Sequence, residues 1–201
     1  MVSMLQVSLR APVTRLITPL CRGLLKVGLS ANSVTVLGTA GTVAASFTLL
    51  ASGHLFAATI VITLLVLTDL LDGTMARLSE SGGSDWGALL DSTMDRISDA
   101  SILGALIYYL IQKNDRLTTV AIIALVASGL VSYIKARAES LDIECNGGFA
   151  ERTERLVLLL VSTAGAGLGI HYILAIGIWI LALAAIFTTG ERLLIVYKAT
   201  R

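Results

Sequence analysis

Charge is scarce in this chain. Of its 201 residues only 14% are Asp, Glu, Lys or Arg, while 55% are hydrophobic, and the mean hydropathy is +0.83. A soluble domain of this length is not normally so apolar, so the composition excludes a water-soluble globular protein and points to an integral membrane one. Cysteine is nearly absent. Cys21 and Cys145 are the only two; they form no metal–thiolate spacing, and both are expected to be free thiols on the cytoplasmic side, where disulfides are rare. Proline occurs only at Pro12 and Pro19, so the long apolar runs lack the breaks that discontinuous transporter helices often show. Histidine is limited to His54 and His171, both in connections between apolar runs, where they read as interfacial residues. The formal net charge of +1 says little, and no nucleic-acid partner is expected.

What the chain does have is six apolar runs, at about 32–52, 55–77, 88–112, 117–138, 152–169 and 172–196. Each is close to the roughly 20 residues that cross hydrocarbon. Ser30 or Asn32 is placed to cap the first. Ahead of them, residues 4–29 alternate Leu, Val and Ile with Arg10, Arg15, Arg22 and Lys26, the pattern of an amphipathic helix lying in the membrane interface. Pro12 and Pro19 should break or kink it. The interspersed basic residues leave no continuous apolar stretch of the kind a cleaved signal peptide needs. With the N-terminus inside, every Lys and Arg except Lys113 and Arg116 falls on or toward the cytoplasmic side, as the positive-inside rule requires. The expected fold is therefore an all-α integral membrane domain spanning 1–201. Six transmembrane helices follow the interfacial one, both termini are cytoplasmic in the plasma membrane, and a polar cavity opens to the cytoplasm.

Within this apolar background stand Asp69, Asp72, Asp91 and Asp95. An Asp near the centre of a membrane helix costs about 2.5–3.5 kcal/mol on insertion scales, so several together must be paired, hydrated or bound to a cation. Asp69 and Asp72 are three apart and Asp91 and Asp95 four apart, so each pair shares a helix face. A short loop makes the two helices antiparallel neighbours, and Asp99 continues the second face one turn on. With no His or Cys nearby, the ligand set is all oxygen. That disfavours zinc and favours magnesium, manganese or calcium. Four carboxylates exceed the needs of one divalent ion, and two ions would suit an in-line phosphoryl substitution. Asp69 and Asp72 are read as lying near the C-terminal end of their helix, where the dipole disfavours anions unless a metal supplies the positive charge. Gly73 leaves room for something bulky, such as a nucleotide, to approach the backbone; Ala76 is small on the same side. Arg77 is suited to hold a phosphate or carboxylate through two nitrogens.

These residues resemble the CDP-alcohol phosphatidyltransferases, whose signature reads D-x2-D-G-x2-A-R-x8–9-G-x3-D-x3-D. Asp69, Asp72, Gly73, Ala76, Arg77, Gly87, Asp91 and Asp95 fill it, with nine residues between Arg77 and Gly87. The resemblance implies that Asp69, Asp72, Asp91 and Asp95 bind two magnesium or manganese ions. It also implies that Asp95 is the general base on the acceptor hydroxyl. Gly73, Ala76 and Arg77, with Asp69, Asn32, Ser33, Val34, Thr35 and Ser84, would receive CDP-diacylglycerol. Family members are commonly homodimers.

The acceptor is suggested by a second group. Lys135 and Arg137 end the fourth run, and Arg152 and Arg155 share a face at the start of the fifth, with Glu151 and Glu154 as possible partners and Arg192 within reach from the last. A free alcohol or a zwitterion needs no such cluster of cations, so a phosphorylated acceptor is expected. The segments Ser132–Glu139, Gly147–Leu156, Pro19–Leu25 and Asp95–Asp99 resemble the actinobacterial phosphatidylinositol phosphate synthases, which join inositol 1-phosphate to CDP-diacylglycerol. Glycerol 3-phosphate, as in phosphatidylglycerophosphate synthases, is the alternative acceptor. A cation-coupled transporter is the rival from another class.

Overall fold

The computed structural model describes residues 17–78, 83–145, 147–148 and 151–201. The part of the predicted amphipathic segment before residue 17 lies outside these; residues 17–26 are helical (α1). The helices that follow are α2 (Ala31–Ala45), continued by a π-helical turn at Ser46–Leu50, α3 (Leu55–Val66), α4 (Thr68–Leu78), α5 (Asp85–Gln112), α6 (Leu117–Glu139), α7 (Arg152–Gly167) and α8 (Ile173–Ala199). Among the described residues there is no strand. Among the described residues four stretches are long and apolar enough to cross a membrane: Ala31–Leu50, Leu55–Leu78, Leu117–Glu139 and Ile173–Ala199. The two other predicted spans are not among these four. α5 is 28 residues long but carries Asp85, Asp91, Asp95, Arg96 and Asp99, and α7 has only 16 residues.

The ends of these helices follow from local chemistry. Ser30, not Asn32, caps α2: its hydroxyl accepts the Ser33 N–H at 3.1 Å. Ser84 caps α5, accepting the Gly87 N–H at 3.0 Å. Gly53 (φ +84°) and Gly169 (φ +82°) close their helices in the left-handed conformation that a side chain resists. In each case the following amide bonds back five residues, from His54 to Leu49 and from Ile170 to Gly165, at 3.0 Å.

The chain divides into two compact units, one built from residues up to Ala44 with Ile62–Ser98, the other from Ala45–Val61 with Asp99–Arg201. In the first, α2 lies antiparallel to the end of α3 and the start of α4. Gly38 sits directly against the Thr68 hydroxyl, and a Cβ on Gly41 would stand 2.8 Å from the Leu65 side chain. α1 adds Cys21, which with Val34 and Met75 forms a buried apolar cluster. Cys21 is a free thiol, and burial pushes its pKa up, which makes it a poor nucleophile. In the second unit α8 packs along α6 and α7, with Gly177 against Ser162. At the end of α7, Gly165 packs on Ile173 and Gly167 meets the Phe56 backbone.

Candidate active site

The antiparallel register of α2 on α4 sets the first element of the site. One turn before the Gly38–Thr68 contact, Thr35 faces Asp72, and its hydroxyl donates to Asp72 Oδ2 at 2.6 Å. Both residues are buried, at 7% and 6% exposure. A charge-assisted hydrogen bond holds the carboxylate in that position. The helix predicted to run unbroken through Asp69 and Asp72 is interrupted at Leu67. The Thr68 hydroxyl donates to the Leu65 carbonyl at 2.6 Å beside this break. Asp69 therefore stands in the first turn of α4, where the helix dipole favours an anion. For Asp69 this reverses the dipole argument made from the sequence.

Asp69 and Asp91 lie close enough to Asp72 to act on its charge. Asp95, one turn along α5 from Asp91, is partly buried, its side chain 18% exposed. Among the described residues, no three His, Cys, Asp or Glu side chains close on a common point. The donor set fits a hard divalent ion: oxygen only, anionic, with one member anchored by Thr35.

Beside Asp72 and Asp91 opens a cavity of about 370 Å³, within the size range of small-molecule sites. Its walls include Asn32, Thr35, Gly73, Ala76, Ser84 and Gly87. A Cβ on Gly73 would meet nothing within 4 Å, whereas one on Gly87 would stand 3.2 Å from the Ser84 hydroxyl and 3.3 Å from Asn32 Oδ1. Gly87 therefore lets α2 and the start of α5 approach, and Gly73 leaves space on the cavity wall. Ser33 and Val34 do not line the cavity. The Ser33 hydroxyl pairs with Ser30 at 2.9 Å, and Val34 is in the core cluster. Arg77 is exposed at the end of α4, its Nη2 donating to Thr74 Oγ1 at 3.1 Å. Leu25, Ser30, Ala31, Gly83 and Ala88 also line the cavity; the sequence reading did not include them.

The basic residues belong to the second unit. Arg152 Nε donates to Asp99 Oδ1 at 3.2 Å, and Arg155 Nη2 lies 3.9 Å from Asp99 Oδ2. Arg155 is 6% exposed and also reaches the Ser132 hydroxyl at 3.4 Å. The suggested partners Glu151 and Glu154 instead build the α7 N-terminus: the Glu154 carboxylate accepts the Glu151 N–H at 3.1 Å in a capping box. Lys135 is half-buried and Arg137 exposed, with Arg137 Nη1 donating to Ser140 at 3.1 Å. Arg192, only 3% exposed, donates to the Gly147 and Val131 carbonyls at 2.9 and 2.7 Å. It ties α8 to α6 and to the segment before α7.

Fold and site together define a polytopic helical membrane protein with a carboxylate- and glycine-walled cavity. The chain belongs to the CDP-alcohol phosphatidyltransferase family, whose family model matches residues 29–190. It is a phospholipid-biosynthetic transferase of that class, and the family uses divalent metal. It is 44% identical over 192 residues to a phosphatidylinositol phosphate synthase of Mycobacterium tuberculosis (strain ATCC 25618 / H37Rv), covering 92% of this chain and 87% of that protein. It is 34% identical to the synthase of that name from Corynebacterium glutamicum, covering 94% and 88%. The crystal structure of the Mycobacterium tuberculosis synthase with CDP-DAG bound is similar at a TM-score of 0.87 and 42% identity, over 91% of this chain and 94% of that one. The same protein in complex with manganese and citrate is similar at 0.82 and 43% identity, over 90% and 88%.

Proposed function

We propose that the chain transfers the phosphatidyl group of CDP-diacylglycerol to the hydroxyl of inositol 1-phosphate, giving phosphatidylinositol phosphate and CMP. The observation that carries the acceptor assignment is the arginine pair Arg152 and Arg155 on α7, the latter buried and held beside Ser132. Two cations so placed suit a dianion rather than a neutral alcohol. The similarity to phosphatidylinositol phosphate synthases supports the same choice.

The cytidine diphosphate enters the cavity walled by Asn32, Thr35, Gly73, Ala76 and Ser84, with Arg77 at the end of α4, while the acyl chains stay in lipid. Asp69, Asp72, Asp91 and Asp95 would hold two magnesium or manganese ions, which supply charge compensation for the diphosphate and the departing CMP. Asp95 takes the proton from the acceptor hydroxyl. That oxygen forms a bond to the phosphorus carrying diacylglycerol, and the bond from this phosphorus to the CMP oxygen breaks. Lys135, Arg137, Arg152 and Arg155 hold the acceptor phosphate and so aim the hydroxyl, an effect of orientation. Arg192 supports this pocket through the backbone it binds.

The chain is a single membrane domain spanning 1–201 and forms a homodimer. α5 and α7 complete six spans, residues 4–29 lie in the interface, and the cavity and both termini face the cytoplasm. The distribution of Lys and Arg along the chain supports that orientation. An acceptor panel tests the assignment. With CDP-diacylglycerol and magnesium in detergent, inositol 1-phosphate supports CMP release, while inositol, serine and glycerol 3-phosphate do not. Turnover on glycerol 3-phosphate alone would move the chain to the other branch of the family.

A further inference from the structure

Asp99 lies outside the signature quartet, yet it is the carboxylate recorded against both α7 arginines. It takes Arg152 through Nε at 3.2 Å and approaches Arg155 Nη2 at 3.9 Å with its other oxygen. Behind Arg155 is a cavity of only about 20 Å³, lined by Leu103, Leu156, Leu159, Leu181 and Ser128 together with Asp99 and Arg155. No other acid lines it. A guanidinium as buried as that of Arg155 is stable only against a counter-charge, and on this side Asp99 supplies it. The two arginines are three residues apart on one helix face and repel each other. A carboxylate with one oxygen toward each fixes both directions at once.

We propose that Asp99 is a positioning residue for the acceptor phosphate: it orients Arg152 and Arg155 so that their donors meet the phosphate, and it does so without touching substrate. This rests on the reading of the arginine pair as the acceptor site. The physical alternative is that Asp99 competes with the incoming anion for the same donors. The two make opposite predictions, because removing a competitor tightens acceptor binding whereas removing an anchor weakens it.

The test is steady-state CMP release by the full-length enzyme in detergent. Both KM values and kcat are determined for Asp99→Asn, Asp99→Glu, Arg152→Ala, Arg155→Ala and the Asp99→Asn/Arg155→Ala double variant. Asp99→Asn is expected to raise the KM for inositol 1-phosphate about tenfold or more, with the KM for CDP-diacylglycerol changed less than about twofold. On an Arg155→Ala background the same substitution should add less than about threefold, since its effect runs through the arginines. Asp99→Glu keeps the charge one methylene away; it serves if the Asn variant does not fold, and should raise the acceptor KM by an intermediate factor with the nucleotide KM unmoved. An unchanged or lowered acceptor KM in Asp99→Asn or Asp99→Glu, or full additivity in the double variant, overturns the proposal. If Arg152→Ala and Arg155→Ala themselves leave the acceptor KM unchanged, it is the acceptor-site reading that has failed, and the inference goes with it.

Discussion

Replacing Thr35 by Val removes one hydroxyl and keeps the shape of the side chain. That hydroxyl donates to Asp72 Oδ2 at 2.6 Å between two residues that are each more than nine-tenths buried. A hydrogen bond to a charged group contributes about 1.5–3 kcal/mol. Where that bond holds a ligand carboxylate in its binding rotamer, its loss weakens apparent metal affinity by roughly tenfold to a hundredfold. The assay is CMP release by chelator-stripped enzyme titrated with manganese, at saturating CDP-diacylglycerol and acceptor. Thr35→Val should shift the half-activating manganese concentration upward by that factor. Thr35→Ser, which retains the hydroxyl, should stay within about threefold of the parent. A Thr35→Val curve that overlays the parent, or moves to lower manganese, would show that the bond does not preset Asp72, and the argument from the α2–α4 register would fail.

Asp95→Asn should abolish turnover while CDP-diacylglycerol still binds, measured by single-turnover chemistry against equilibrium nucleotide binding; near-normal turnover removes Asp95 as the base. Arg155→Ala should raise the KM for the acceptor far more than that for CDP-diacylglycerol, and equal effects on both would remove the acceptor-pocket assignment. Gly73→Ala places a methyl where it meets nothing within 4 Å. It should therefore raise helix stability by about 0.5–1 kcal/mol while raising the KM for CDP-diacylglycerol about fivefold or more, because the space is reserved for substrate. Chelation with EDTA should stop CMP release, and magnesium or manganese should restore it.

The carboxylates were legible in the sequence because their cost in a membrane is high and their spacing is helical. What escaped was long-range or directional. Asn32, Ser33, Val34 and Thr35 read as one contiguous nucleotide segment, but of these four the helix capped by Ser30 turns only Asn32 and Thr35 toward the cavity and sends Val34 into the core. That split follows from the 3.6-residue period and could have been drawn from the sequence. The break at Leu67 was not legible, since neither Gly nor Pro stands at it in the sequence. Glu151 and Glu154 were the nearest acids to the arginines along the chain, yet their spacing serves a capping box, and the pairing acid is Asp99, 53 residues before Arg152. Arg192 showed only its charge in the sequence; its two carbonyl partners lie 45 and 61 residues away.

The central claim is that the aspartates of α4 and α5 hold divalent ions. Manganese titration of metal-free enzyme, followed by the EPR signal of the unbound ion, tests it most directly. Two saturable sites per chain are expected in the parent, with loss of at least one in each of Asp69→Asn, Asp72→Asn and Asp91→Asn. Saturable binding that survives all three substitutions unchanged, or no binding in the parent with CDP-diacylglycerol present, would contradict the account.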